Sequence, residues 1–519
     1  MHRIPLAALV AAHGLALPLH AQSLAVGIPL EGEFHLVGIG ANDGCTAQAL
    51  RIGGELGSIT FDGLGGFTSN RTATTICATG PNPVENYFDV GTYTLDTSGK
   101  LVLDYDPAQP GNDTFEMFMT PDLELAIRAP EPATESTGMT LLCRKQSAAT
   151  QADLEGDHGF AQILNSLVGS DFTCESSVGT FDVDPAGVAN LNLQVHSVDP
   201  FGFQDFPDSG SFGPLQVQAD GSLAVGSTTV GAISKGGEFG YIYNADDREV
   251  SLALFVRKAD SMAVADLDGT WSTNSYGGVP APFSNHEAGS IQGPLTIEGA
   301  TGACTHDQTF HSVSPSGVST SSGTLAGSVA VAPDGSFVQV YPSDATYDGW
   351  FSEDTTVAIF ADIGTSSLTD DVAEAGIFLR HCASSVPFGT GSAGTGGVVP
   401  TLSTTGLAKA GNSSYALVVS EGVGGGLAFF AYSGTALLGG FPLFGGTVYL
   451  DPTQYVLLGA LPLGGTTGAP GVGSASYTVP IPANPAFVGA GLYAQALIFD
   501  PGASESIATT HAVALILCE

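Results

Sequence analysis

Apolar and polar residues alternate with a period of two along most of this chain. Gly91-Thr-Tyr-Thr-Leu-Asp, Leu215-Gln-Val-Gln and Leu295-Thr-Ile-Glu are clear cases. Such alternation predicts strands with one buried face. Asp220-Gly221 and Asp334-Gly335 stand between such runs as tight-turn dipeptides, with Ser98-Gly99 as a weaker counterpart, because glycine accepts a positive φ without steric cost. Sustained helical periodicity is missing. The 70 glycines and 30 prolines would interrupt most helices. The pattern predicts an all-β protein.

One hairpin pattern occurs three times: Gly91–Leu95–Gly99, Gly213–Val217–Gly221 and Gly327–Val331–Gly335. Each copy follows a Leu-x-Gly opening, at Leu30-Glu31-Gly32, Leu154-Glu155-Gly156 and Leu267-Asp268-Gly269. The distances from opening Leu to second hairpin Gly are 69, 67 and 68 residues (99 − 30, 221 − 154, 335 − 267). Each copy ends in an apolar strand closed by Arg144, Arg257 or Arg380. A fixed long period marks tandem copies of one folding unit. The units run 22–148, 149–261 and 262–385, each with room for about eight short strands.

Composition shifts at Phe388-Gly-Thr-Gly-Ser-Ala-Gly-Thr-Gly-Gly. Residues 386–400 have the make-up of a Gly-rich linker, and 401–519 predict a distinct β-sandwich with few charges. At the other end, Met1-His2-Arg3, an apolar stretch from Ile4 to Leu19 and a small residue at Ala21 form the pattern of a signal peptide over 1–21. That pattern places the protein outside the cell, secreted or at the surface. No membrane insertion is expected, because the strands look too short for a spanning barrel.

Two resemblances add to this reading. The third unit opens Gly269-Thr270-Trp271 and closes on Arg380, which resembles the calycin (lipocalin-like) pattern. The resemblance implies an Arg over an indole at one barrel end, with Phe34 and His158 in the place of the Trp in the other units. A barrel, a sandwich and propeller-like blades all remain open for the repeats. The second resemblance rests on FGTGSAGTGGVVPTL at 388–402, LPLGG at 461–465, VPIP at 479–482 and GLYAQALIFDPG at 491–502. These look like a C-terminal β-module of secreted planctomycete-type bacterial proteins. Related modules often carry cysteines near the Gly-rich opening, where this chain has Ser392.

Thirteen basic residues against 51 acidic ones give a formal net charge of −38. Such a surface repels nucleic acid and anionic lipid and leaves an extracellular protein or a glycan as the expected partner. No Gly-x-Ser-x-Gly, His-Glu-x-x-His or phosphate-loop string is present, so no catalytic residue is assigned. Trp271, Trp350 and Arg380 are candidate ligand-binding residues. His306, His311 and His381 are candidate metal ligands, since neutral imidazoles suit zinc or copper. No cofactor is expected, although paired carboxylates at Asp104 and Asp106, Asp182 and Asp184, and Asp246 and Asp247 offer oxygen ligands to calcium as well as ordinary turns. Export permits disulfides: Cys304 with Cys382 first, then Cys143 with Cys45 or Cys77. The resulting expectation is an exported, non-enzymatic surface or matrix protein of repeated β-domains. The alternatives are a small-ligand or glycan-binding protein and a carbohydrate-active hydrolase.

Overall fold

The computed structural model describes residues 30–46, 49–77, 84–96, 99–105, 114–120, 123–128, 136–168, 171–199, 202–246, 248–279, 287–314, 317–342, 346–362, 372–380, 386–405, 408, 410–443, 445–484 and 491–517. The chain is all-β. Its first unit is a closed antiparallel barrel of β1 (Glu31–Thr46), β2 (Ala49–Asp62), β3 (Gly66–Cys77), β4 (Val84–Leu95), β5 (Lys100–Asp104), β6 (Thr114–Met119), β7 (Leu125–Arg128) and β8 (Ser136–Arg144), with β8 returning to pair β1.

The second unit contains β9 (Gly156–Val168), β10 (Asp171–Val183), β11 (Ala189–Asp199), β12 (Gly202–Phe212), β13 (Leu215–Val217), β14 (Ser222–Val225), β15 (Thr228–Ile233), β16 (Phe239–Ala245) and β17 (Glu249–Arg257). Its hydrogen-bonded path starts at β12 and ends at β13. The sheet stays open between those two strands, which only Gly213 and Pro214 separate along the chain; by its matching strand order this unit is called barrel 2 below. The third unit, β18 (Gly269–Val279), β19 (Glu287–Ile297), β20 (Ala303–Ser314), β21 (Gly317–Val331), β22 (Ser336–Val340), β23 (Thr346–Phe351), β24 (Val357–Asp362) and β25 (Ala373–Arg380), closes as the first does. The expectation of short strands holds for the second half of each barrel only. β1 to β4 run 16, 14, 12 and 12 residues, whereas β5 to β8 run 5, 6, 4 and 9.

The repeat is visible bond by bond. Leu30, Leu154 and Leu267 are fully buried, and the glycine two places on takes a φ of 112°, 108° or 138°. The carbonyl between them accepts from the closing arginine: Arg144 Nη1 to Glu31 at 2.8 Å, Arg257 Nη1 to Glu155 at 3.2 Å, Arg380 Nη2 to Asp268 at 2.6 Å. Gly99, Gly221 and Gly335 have φ of 82°, 82° and 84°. Their carbonyls accept from Met119, Ile233 and Phe351 at 2.8, 2.9 and 2.9 Å. A third shared turn escaped the sequence reading. There the hydroxyls of Thr120, Ser234 and Ser352 accept from the backbone N–H of Leu125, Phe239 and Val357.

Each barrel builds its own apolar interior. Phe34, Phe61, Tyr93 and Met117 fill the first, Phe160, Phe181 and Phe255 the second, and Trp271, Phe337, Phe351 and Phe378 the third. A separate cluster lies outside the barrels and joins them. Val37, Ile39 and Leu141 of the first, Ile163, Leu252 and Leu254 of the second, and Tyr276, Ile377 and Leu379 of the third pack together. These residues occupy the outward positions of the first and last strand of each unit, because neighbours along a strand face opposite ways. The three units therefore share one apolar seam.

The C-terminal module packs a six-stranded sheet against a three-stranded one around Leu402, Leu417, Val419, Phe430 and Ile498. Phe388, Tyr449 and Tyr493 of this module belong to the same apolar cluster as the interior of the first barrel. The Gly-rich stretch is not a free linker. Val386–Phe388 pairs with Ala512–Ala514, Ser392 N–H donates to the Thr509 carbonyl at 2.9 Å, and Thr395 N–H donates to Asp500 Oδ2 at 2.6 Å. Glycine permits the approach: a Cβ on Gly391 would stand 2.5 Å from the Thr509 carbonyl oxygen.

Candidate functional site

Inward positions of barrel 1 change character along its axis. From the floor upward, β2 presents Phe61, Ile59, then Glu55 and Gly53, and β3 presents Phe67, Ser69, Arg71, then Ala73. β4 presents Tyr93, then Asp89, Tyr87 and Glu85, while β1 and β8 present Gly38, Gly40, Gly138 and Thr140. Large apolar side chains plug the floor. Glycines and polar side chains above it leave a cavity of about 390 Å³. A Cβ on Gly38 would lie 3.0 Å from Glu55 Cγ and 3.2 Å from Thr140 Oγ1, so the missing side chain is what gives Glu55 its place.

Arg71 is the centre of this cup. Its Nη1 lies 2.7 Å from Glu55 Oε2 and its Nε 3.3 Å from Asp89 Oδ2. Its guanidinium carbon sits 5.1 Å from the Tyr87 ring centre and 5.8 Å from that of Tyr105. Burial works against the charge, but Glu55, Tyr105 and Asp89 together outweigh it and the Arg71 pKa is raised. Burial also raises the Tyr105 phenol, which stays protonated. Arg128 lines the same cavity, with its guanidinium 4.8 Å from the Phe115 ring. Its carbonyl accepts from Asn274 Nδ2 of barrel 3 at 2.9 Å, which ties the cup wall to the seam. The cup thus offers two cations, carboxylates, threonine hydroxyls and an aromatic face. Its volume is in the range of small-molecule sites, although its lining is more polar than most.

The void described in barrel 3 is far smaller. His306, Gln339, Tyr341, Tyr347, Glu374 and Phe360 converge on a void of about 10 Å³, near the lower limit for one water molecule. Phe360 and Phe378 stack with centres 4.4 Å apart. Burial lowers the His306 pKa to about 4. In barrel 2, His158 stands opposite Arg257, and burial followed by that arginine's charge lowers its pKa to about 4.

The residues singled out from sequence fall mostly elsewhere. Arg380 does lie over Trp271, at 5.3 Å, and Arg144 over Phe34 at 4.6 Å. Trp271 is completely buried and donates to the Leu267 carbonyl at 3.2 Å, so this pair caps a filled floor and does not face a ligand. Trp350 points out of barrel 3 into the seam: a Cβ on Gly159 of barrel 2 would lie 2.0 Å from its ring, and Lys258 Nζ lies 4.8 Å above it. His306 and His311 do not meet. His306 faces the barrel interior, whereas His311, an odd number of residues on, lies buried on the opposite face with its Nδ1 2.9 Å from Thr320 Oγ1. His381 lies outside the described residues. Among the described residues, no three His, Cys, Asp or Glu side chains group as a metal site.

Cys304 is a buried free thiol that accepts from Gln339 Nε2 at 3.7 Å. The pairing expected of it is not made, and Cys382 lies outside the described residues. Cys143 faces the inter-barrel seam, while the side chains of Cys45 and Cys77 lie outside the described ones. Asp184 and Asp246 cap their own turns, accepting from Ala186 and Val188 and from Arg248 and Glu249. Asp106 and Asp247 are outside the described residues. The sequence reading passed over Glu55, Arg71, Asp89 and Arg128. The available signal was their parity: each sits an even number of residues from an apolar inward position of its own strand.

The fold and cup define a repeated β-protein of two closed barrels and a nine-stranded sheet of matching strand order, with a cavity among the described residues of the first barrel. No known protein family matches the chain, and no curated protein does. Among solved structures, a protein of unknown function of the DUF3598 family from Nostoc punctiforme aligns with 12% identity, covering 45% of this chain and 99% of its own at a TM-score of 0.15. Transferrin binding protein B from Neisseria meningitidis aligns with 10% identity, covering 68% and 77% at a TM-score of 0.20. Likenesses this slight carry no argument for this chain.

Proposed function

We propose that this chain is an exported, non-enzymatic binding protein of the cell surface or matrix, in which barrel 1 holds a small polar ligand, a glycan unit being the best fit. The observation that carries this reading is the cup of about 390 Å³ lined by Arg71, Arg128, Glu55, Glu85 and Tyr87. Sugars suit such a wall because their hydroxyls both donate and accept, and because an aromatic face packs on their C–H surface. Glu55 is committed to Arg71 at 2.7 Å, which favours recognition over acid–base work. Barrels 2 and 3 and the C-terminal module would hold and present the cup.

The test is a thermal melt against a panel of neutral sugars, sugar acids and amino acids. A ligand that binds only the native state, at one hundred times its Kd, adds about 2.7 kcal/mol of stability. At least one sugar should raise Tm in a saturable way. The reading fails if the whole panel leaves Tm unchanged.

A further inference from the structure

Charge is spread unevenly along this chain. One basic residue, Lys409, and five acidic ones, Glu421, Asp451, Asp500, Glu505 and Glu519, give residues 386–519 a formal charge of −4 out of −38. Between Gly422 and Phe499 the only charged residue is Asp451.

That uncharged stretch builds one edge of the six-stranded sheet. Among the described residues, the strand Val456–Pro462 ends the sheet and pairs only with the strand Leu427–Ser433. Tyr455, Val456 and Leu457 are 51%, 46% and 46% exposed. The apolar surface continues across the sheet. Leu427 pairs with Pro462 on one side and with Phe499 on the other, and both Leu427 and Phe499 are exposed. Residues opposite each other on neighbouring strands share a face, so Pro462, Leu427 and Phe499 form one apolar row. The other edges of this sheet and of its three-stranded partner differ. Val386–Phe388 has three residues, while Thr401–Thr405 and Gly473–Thr478 are mostly Ser and Thr. An apolar edge strand beside an exposed apolar face is a template for association.

We infer that Val456–Pro462 is the contact between two copies of this chain, which meet about a two-fold axis with these strands side by side. Charge selects this occupant. Acidic copies repel over most of their surface, and they approach most closely where neither presents carboxylates. No residue from Pro452 to Phe499 is charged, so no antiparallel register of the two strands sets like charges opposite each other. A partner recognised by its basic residues would find its complement on residues 1–385, which carry the remaining −34 (−38 less −4). A bulge between Phe430 and Ala431 leaves Leu458 out of register, and its carbonyl accepts from the Tyr477 hydroxyl at 2.7 Å. The contact therefore rests on the side chains of Tyr455, Val456 and Leu457, flanked by Leu427, more than on a backbone ladder. A small contact of this kind gives a weak, reversible dimer, with the same patch used by both copies. The inference is independent of any ligand in the cup.

Sedimentation velocity on the full chain tests it, with amide hydrogen exchange read at low and high protein concentration. The average mass should rise toward that of a dimer with concentration, and exchange over residues 456–462 should slow in parallel. Salt should strengthen the dimer, because raising ionic strength from about 0.01 M to about 0.15 M shortens the screening length from about 30 Å to about 8 Å and weakens repulsion between the copies. Leu457→Glu puts a carboxylate on each copy at the contact and should weaken association about tenfold; a melt confirms that this variant folds. The salt series and exchange on the unaltered protein decide the matter alone if it does not. A monomer at every concentration up to about 1 mM, a dimer that leaves 456–462 unprotected, or association that salt weakens would each overturn the proposal. So would protection of the same amides by phosphatidylcholine vesicles without dimer formation.

Discussion

Barrels 1 and 3 follow one strand path, close with the same arginine and share the same turns, yet one is hollow and the other is filled. Counting along matched registers locates the difference in a few inward positions. Six residues before the closing arginine, barrel 1 has Gly138 and barrel 3 has Glu374. Opposite the residue that pairs with Phe34 or Trp271 stands Ser69 in one and His306 in the other. On the seventh strand, Arg128 of barrel 1 matches Phe360 of barrel 3. Each exchange adds bulk or aromatic surface to barrel 3. A shared backbone frame thus permits a cup or a plug, and the choice lies in side chains that no strand pattern constrains.

The largest expected effect lies at the floor of the filled barrel. Trp271→Ala removes the largest fully buried side chain of barrel 3, packed against Phe351 at 5.3 Å and beneath Arg380. Truncations of this kind cost about 3–5 kcal/mol. Denaturant unfolding should show that loss, together with an intact cup in barrel 1. Loss of ligand binding in the folded variant would show that the barrels do not act separately.

An acid titration should sharpen the contrast, because barrel 3 buries His306 where barrel 1 has Ser69. The folded-state pKa of His306 is lowered to about 4 from 6.5 by burial, so the native fold favours the neutral ring. That preference contributes fully above pH 6.5 and is lost as pH falls through about 4. At about 1.4 kcal/mol per pKa unit, the loss is roughly 3 kcal/mol. His158 adds a fall of the same sign in barrel 2. His306→Gln should flatten the decline of Tm between pH 6.5 and 4. A decline of unchanged depth would assign the acid sensitivity elsewhere.

What was legible in the sequence and what was not divides along physical lines. The Leu-x-Gly openings, the hairpin glycines and the closing arginines were readable because each serves a backbone need that one residue type meets: a positive φ, a bend, or a cation that reaches carbonyls. The aromatic beneath the arginine was expected only from a family resemblance, and Arg380 does lie over Trp271. The cup was not readable, since Glu55, Arg71 and Asp89 are scattered over three strands and meet only when the register is known. Trp350 and His311 misled because residue type and closeness in sequence do not say which face of a strand a side chain takes. In this molecule the outward faces of the first and last strands are buried in the seam. The Gly-rich stretch misled in the same way: low complexity suggested a linker, while its glycines serve close backbone contact with Thr509.

The smallest expected effect on stability is the most informative about function. Arg71 is 28% exposed, and its partners Glu55 and Asp89 are 21% and 27% exposed. Partly solvated ion pairs of this sort contribute up to about 1 kcal/mol each at most, so Arg71→Ala should barely move the melt. It should nevertheless abolish the ligand-induced rise in Tm, because it removes the central donor and leaves Glu55 in the cavity wall without its partner. Arg71→Lys should restore the charge without restoring binding, since an ammonium cannot reproduce a planar fork held between two carboxylates. A fall in stability of several kcal/mol in Arg71→Ala would instead make Arg71 a structural brace and leave barrel 1 hollow for some other reason. Full binding in Arg71→Lys would show that the cup reads charge alone.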